Sequence, residues 1–191
     1  MLFRSPSGNF GNLTAGLIAK KMGLPVHHFI AATNINDIVP GYLSTGTFEP
    51  TASKQTISNA MDVGNPSNFW RMLDLYNGSL SKMKEDISGF SFDDDKTAQA
   101  MKTLLKNYHY LPDPHGAVGF LGLQEYQKQH PNTRGIFLET AHPAKFADVV
   151  ERILNINIDL PDQLKSLLHK EKQAKLMTTD FSKFKEYLLS R

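Results

Sequence analysis

Two glycines three residues apart, set among short polar side chains and running straight into a helix, constrain this chain more than any other feature. Residues 5–12 read SPSGNFGN. Gly8 and Gly11 allow tight turning and close backbone approach. Ser7, Asn9 and Asn12 add short donors. The next residues, LTAGLIAKKM over 13–22, carry Leu13, Leu17, Ile18 and Met22 at helical spacing, and Gly23-Leu24-Pro25 ends the helix. VHHFIAA over 26–32 then reads as a short buried strand. Loop, helix and strand in that order are the grammar of a doubly wound α/β sheet.

A helix start that follows such a loop presents free N–H groups and a positive dipole end, a cradle for an anion such as a phosphate monoester. The pattern is neither GxGxxG nor a Walker loop, since no GK[ST] follows. By composition alone a polar turn capping a helix is the simpler reading. In open α/β sheets a phosphate loop follows the carboxyl end of a strand. Only Met1 to Arg4 precede this one, so the strand it needs, and whatever came before, is expected to lie outside the sequence.

Composition narrows the chemistry. The 191 residues include no cysteine, which removes disulfides, thiolate metal sites and cysteine nucleophiles. Twenty-one basic residues face 19 acidic ones, so charge gives no reason to expect nucleic acid or an anionic membrane as partner. No apolar run is long enough to span a bilayer, and the start has no apolar core of a secretory signal. A cytoplasmic location is the expectation. Seven histidines raise the question of a metal, but His27 and His28 point to opposite faces of their strand and no HxxxH or HExxH occurs. No metal site is expected.

Further along, residues 34–64 are rich in Asn, Thr, Ser, Gly and Pro and read as a long ordered excursion with short helical pieces. Helices are expected over 66–76, from Asp93–Asp95 through Tyr108, from about Ala117 to Gln129, and after the strand at 135–140 (GIFLET). Two amphipathic helices, about 162–174 and 180–189, form the tail. The fold class is therefore α/β: part of a doubly wound parallel sheet flanked by helices, with a helical C-terminal tail. The expected division is 1–160, with an excursion at about 34–110, and 161–191.

Two other places carry candidate chemistry. In NPSNFWR, Ser67, Asn68 and Arg71 fall at a helix start and within one turn, where they could bind an anion or simply cap the helix. In DPHGAVG, His115 lies in a glycine-rich loop opening a helix, where a ligand role and a capping role are both open.

PSGNFGNLTAGLIAKKMGLP, ATNINDIVPGYLSTG, SNAMDVGNPSNFWR, DPHGAVG and ETAHPAKF occur in this order. Together they resemble the C-terminal half of the threonine synthase family, pyridoxal-phosphate enzymes of the tryptophan-synthase-β-like (fold type II) superfamily. The family converts O-phospho-L-homoserine and water to L-threonine and phosphate. The resemblance implies that Ser7, Gly8, Asn9, Phe10, Gly11 and Asn12 hold the cofactor phosphate, mostly through the backbone. It implies that Thr140 faces the pyridine nitrogen. A neutral hydroxyl there does not force that nitrogen to stay protonated and so tunes the ring as an electron sink. It places the His115 loop near the active site, and a phosphate-bearing substrate makes Ser67, Asn68 and Arg71 candidate substrate contacts.

The family's cofactor lysine sits in a Phe-Lys-Asp-type motif upstream of the phosphate loop, and no such motif occurs here. Lys20, Lys21 and Lys145 do not stand at that position. The resemblance therefore implies a fragment of a larger two-domain fold, with no catalytic residue of its own, requiring the N-terminal half and inactive without it. A dehydratase or sulfhydrylase relative would share the phosphate loop but not the NAMD, NPSNF and HPAKF blocks. The alternative of another class is a non-catalytic phosphate-ligand-binding or interaction module.

Overall fold

The computed structural model of the protein describes residues 2–166, 170, 171 and 173–190, and for residues 2–5 the backbone alone. Four parallel strands make one sheet: β1 (Leu2–Pro6), β2 (His28–Thr33), β3 (Ile87–Ser91) and β4 (Gly135–Phe137), in spatial order β3-β2-β1-β4. β1 pairs with β2 from Leu2↔His28 to Pro6↔Ala32, and with β4 from Leu2↔Gly135 to Arg4↔Phe137. The short segment before the glycine loop is thus a full strand at the inside of the sheet. Partners on both sides, which no local pattern reveals, make it one. The α/β architecture is the expected one.

β2 is buried throughout, as suits a parallel strand covered on both faces. Its side chains alternate. Phe29 and Ala31 join Phe10, Leu13, Leu17, Val39, Phe69 and Met72 in one core, while Ile30 and Ala32 meet Met61, Phe92, Val118 and Tyr126 in another. Helices α1 (Gly11–Lys21), α2 (Ile38–Thr45), α3 (Phe69–Leu75) and α4 (Leu80–Asp86) carry the first core's partners. The opposite side holds α5 (Asp94–Tyr108), α6 (Pro114–Gln129) and α7 (Ala147–Leu154), which meet around Met101, Leu104, Ala117, Phe120, Phe146 and Val150.

Several boundaries differ from the sequence reading, and the helix expected over 66–76 spans only Phe69–Leu75. α6 begins at Pro114, because Asp113 accepts from the N–H groups of His115 and Gly116 and caps the helix there. The DPHG stretch is therefore helix start, not loop. The strand expected over 135–140 ends at Phe137, and His142 caps a 3₁₀ turn over Pro143–Phe146 before α7. β3 also returns the chain to the sheet inside the region read as an excursion.

The chain divides into two units, Met1–Ile158 and Asp159–Arg191. The second contains α8 (Asp162–Lys165) and α9 (Phe181–Leu189), the latter capped by Asp180. Of the helix expected over 162–174, residues 167–169 and 172 lie outside the described residues, and 173–178 have no regular structure. Among the described residues, no helix is long and apolar enough to cross a membrane.

His28, at the start of β2, is buried. Its Nδ1 lies 3.1 Å from the Glu85 carbonyl and its Nε2 2.9 Å from the Ser88 hydroxyl. Burial depresses its pKa from 6.5 to about 4. The unfolded chain therefore takes up this proton first, and the stability that neutral His28 contributes is lost as pH falls from 6.5 toward 4. The full effect is about 3 kcal/mol. Urea unfolding at pH 7 and pH 5 should show the wild type losing more stability than His28→Gln over that interval. Equal losses would remove His28 from the account.

Candidate functional site

β1 ends at Pro6, and the chain turns at once into α1. Ser7 is buried and its N–H donates to the Ala32 carbonyl at 2.9 Å, which ties the loop to the end of β2. Phe10 sits at the N-cap with φ 59° and ψ 20°, a left-handed conformation unfavourable for a bulky residue. Its ring is buried in the core beside Leu13, Leu17 and Phe29, and that packing holds the backbone there. No side chain caps α1. Thr14 closes the first turn by donating both its N–H (2.9 Å) and its hydroxyl (2.7 Å) to the Phe10 carbonyl.

The result is a helix mouth open to a cavity of about 240 Å³, lined by Pro6, Gly8, Asn9, Phe10, Gly11, Asn12, Ala60, Met61, His115 and Thr140. No lysine, arginine or carboxylate is among these residues. Any anion held here is met by N–H groups and a helix dipole rather than by a side-chain charge. Five of the six loop residues expected from sequence are thus in one place with Thr140 and His115, while Ser7 is buried behind the loop.

The facing wall comes from the excursion. Asn34 follows β2 directly, and its amide donates to Thr56 Oγ1, to Ser58 and to Asp62 Oδ1. Asp62 also accepts from Asn36 Nδ2, Thr56 Oγ1 and Thr56 N, at 3.2, 2.7 and 3.0 Å. This network fixes residues 56–62 and so presents Ala60 and Met61 to the cavity. Gly8 meets that wall so closely that a Cβ there would come within 2.7 Å of Met61 Cα. Gly8 is required for packing, whereas a Cβ on Gly11 would find only Asn68 Nδ2, at 3.8 Å.

His115 is buried between the walls. Its Nδ1 lies 2.7 Å from Asp113 Oδ1, and its Nε2 accepts from the Ala60 N–H at 3.1 Å. An accepting Nε2 leaves the proton on Nδ1. Both ring nitrogens are engaged, so His115 pins the Ala60 wall to the start of α6. Burial alone would raise the Asp113 acid, but the donors from His115 outweigh it and hold the carboxyl below its usual range.

The remaining candidates support the loop. Ser67 donates its N–H (2.7 Å) and hydroxyl (3.1 Å) to Asn9 Oδ1, and Asn68 Nδ2 donates to the Asn9 carbonyl at 2.8 Å. Arg71 donates to Asn68 Oδ1 at 3.2 Å. Sequence reasoning missed Asn34, Asn36, Thr56 and Asp62. Their density of Asn, Thr and Asp was visible, but their convergence depends on β2 delivering Asn34 to that spot. Of the three lysines weighed, Lys20 pairs with Asp86 at 2.5 Å, Lys21 lies 4.6 Å from the Tyr76 ring centre, and Lys145 lies 5.4 Å from that of Phe146. None lines the cavity. Among the described residues no cluster of three or more His, Asp or Glu could hold a metal.

Comparison with known proteins agrees with this arrangement. The family described as "Threonine synthase, C-terminal" matches residues 116–188. Threonine synthase from Haemophilus influenzae is 44% identical over 184 residues, covering 96% of this chain and 42% of that protein. The crystal structure of threonine synthase from Escherichia coli superposes with a TM-score of 0.87 at 42% identity, over 99% of this chain and 44% of that one. The chain is homologous to the C-terminal portion of threonine synthase. The pyridoxal-phosphate-bound threonine synthase from Brucella melitensis also superposes, with a TM-score of 0.83 at 30% identity, over 98% of this chain and 45% of that one. The chain therefore spans less than half the length of the threonine synthases it matches.

His115→Phe keeps an aromatic ring beside Phe146 but strands the Ala60 N–H and takes the ring donor from Asp113 Oδ1, leaving it the two backbone N–H groups. It should cost about 2–4 kcal/mol in urea unfolding. A loss below about 0.5 kcal/mol, the size of an ordinary surface change, would show that His115 does not pin the two walls.

Proposed function

We propose that these residues form the cofactor-phosphate side of a threonine synthase site, acting on O-phospho-L-homoserine and water to give L-threonine and phosphate, with pyridoxal phosphate as cofactor and the cytoplasm as compartment. One observation carries the reading: an uncapped helix mouth at the carboxyl end of β1, sharing its cavity with Thr140. Loops in this position hold phosphates in open α/β sheets. The donor set fits a phosphate ester at the Gly8–Asn12 end and a neutral heterocycle at the Thr140 end. When bound, the cofactor supplies an electron sink.

This chain's residues then have three tasks. The backbone from Gly8 to Asn12 neutralises and orients the phosphate. Thr140 offers a neutral hydroxyl to the ring nitrogen and leaves its protonation unforced. The Ala60–Met61 wall, held by Asp62 and His115, keeps water from one side of the site. The lysine that binds the cofactor, and the opposite wall, are proposed to come from sequence corresponding to the N-terminal part of the relatives. Turnover by the 191 residues alone is not expected. The absence of lysine from the cavity lining favours, as a second reading, a phosphate-ligand-binding module without catalysis.

A phosphate-release assay with O-phospho-L-homoserine separates these. The chain joined to the corresponding N-terminal sequence of a relative should release phosphate and form threonine, and the 191 residues alone should not. Failure of the joined protein, correctly folded and loaded with cofactor, would favour the second reading. Turnover by the isolated chain that vanishes in Lys145→Ala would overturn the assignment of the lysine elsewhere.

Two substitutions address the residues themselves. Gly11→Val intrudes on the cavity without meeting the backbone, and should weaken pyridoxal phosphate binding tenfold or more, about 1.4 kcal/mol. Thr140→Ala, at an exposed position, should change stability by less than about 0.5 kcal/mol yet lower turnover of the joined protein. Unchanged binding in the first would sink the phosphate-cradle reading, and unchanged turnover in the second would sink the role of Thr140.

A further inference from the structure

Next to His115 and Thr140 in the chain, three buried carboxylate oxygens lack a well-formed hydrogen bond. Asp113 Oδ1 takes the N–H groups of His115 (2.6 Å) and Gly116 (3.3 Å) and the His115 ring. Asp113 Oδ2 and both carboxyl oxygens of Glu139 have no well-formed hydrogen bond, although the Tyr110 hydroxyl lies close enough to interact with Glu139. Glu139 follows β4 by two residues and immediately precedes Thr140. Its carboxyl group fills the space above Gly116, where a Cβ would lie 1.9 Å from Glu139 Oε1 and 2.2 Å from its Cδ. Two buried carboxylates side by side repel each other and leave their lone pairs unmet. One proton between them removes both costs, since the protonated acid becomes a donor to its neighbour.

We propose that Glu139 is a positioning residue for Thr140: its carboxyl group, protonated and bonded to Asp113, clamps the end of β4 to the start of α6 and thereby fixes the next residue at the cavity. Every group facing Glu139 is consistent with this. Asp113 and His115 approach from α6, and His115 already gives its one proton to Asp113. Tyr110 approaches from the α5–α6 connection, and Tyr108 shares with it a hollow of about 630 Å³ that Glu139 borders. Among the described residues no lysine or arginine pairs with either acid. Burial and then the Asp113 charge push the Glu139 pKa from 4.5 up to about 8, with an interaction from Tyr110 partly opposing them. The clamp is therefore closed at neutral pH and opens in mild alkali.

The direction of the linkage is fixed. Between pH 4.5 and 8 the unfolded chain has lost this proton while the folded chain keeps it. Stability from the clamp is complete below the unfolded value and drains as pH rises toward 8. Glu139→Gln preserves a donor and an acceptor but cannot ionise.

The test is urea unfolding of the 191-residue chain from pH 5 to 9, as wild type, Glu139→Gln and Gly116→Ala, together with the amide resonances of the folded state. Relative to Glu139→Gln, the wild-type unfolding constant should rise about tenfold per pH unit across the window and level off above pH 8. The Thr140 amide should shift with a midpoint near that pH in the wild type and stay still in Glu139→Gln. Gly116→Ala, whose methyl group evicts the carboxyl group, should lose the extra pH dependence while keeping the residue. Parallel pH curves for wild type and Glu139→Gln, or a Thr140 amide that ignores the titration, would overturn the proposal. If Glu139→Gln fails to fold, the carboxyl carbon of Glu139 in the wild type decides: titration in the ordinary glutamate range overturns it. The inference rests on Thr140 being the cofactor-facing group. The two fail separately, because these measurements involve no cofactor and the Thr140→Ala assay does.

Discussion

The parallel pairing of β1 with both β2 and β4 is the constraint on which the site depends. It sets the carboxyl ends of three strands side by side. β1 then delivers the glycine loop, β2 delivers Asn34, and β4 leads to Glu139 and Thr140. Everything that lines the cavity comes within a few residues of those ends, or is tied to them by hydrogen bonds. The five residues of β1 thus place groups drawn from positions 6 to 140. A change that slipped the β1 register would move the Asn12 and Thr140 ends of the cavity relative to one another, however little it disturbed either locally.

Much of this was legible from local pattern. The periodicity of 13–22, the apolar run of 26–32 and the acidic start of α5 each carry their structure in adjacent residues. Asp93 accepts from the Lys96 N–H at 2.8 Å because an Asp stands ahead of an amphipathic run. β1 and β3 were not legible, for one shared reason. LFRSP and ISGFS are short and lack clean alternation, and each is a strand because a neighbour supplies the ladder. Such pairing is a property of the assembled sheet, and no window of sequence contains it.

The site divides the same way. The loop 7–12 could be read as a candidate anion cradle because such a cradle needs glycine and an uncapped helix in succession, and both are local. The excursion over 34–64 could be seen as polar but not as a wall. Asn34 and Asp62 stand 28 positions apart, and Asp113 and Ala60 meet only through the His115 ring. The histidine illustrates the limit well. As a residue type at a helix start it fits either a ligand contact or a cap, and only its two partners decide, since an imidazole with both nitrogens bonded within the protein has none left for transfer.

The arrangement of charge gives the last step. The cavity lining has no ionised side chain, so the field inside it is set by backbone N–H groups, the α1 dipole and the neutral hydroxyl of Thr140. A negatively charged Glu139 next to Thr140 would break that condition. On the proposed reading, in which Thr140 faces the pyridine nitrogen, it would set an anion near that nitrogen and favour its protonation, undoing the advantage of a hydroxyl over a carboxylate at that position. Sharing one proton with Asp113 keeps Glu139 neutral, while the Asp113 charge is taken up by the His115 and Gly116 donors on its other oxygen. A pair of acids that looks unfavourable beside a cofactor ring is therefore compatible with it. The neutrality of the Thr140 end of the cavity and the rigidity of the β4–α6 junction both come from the same proton.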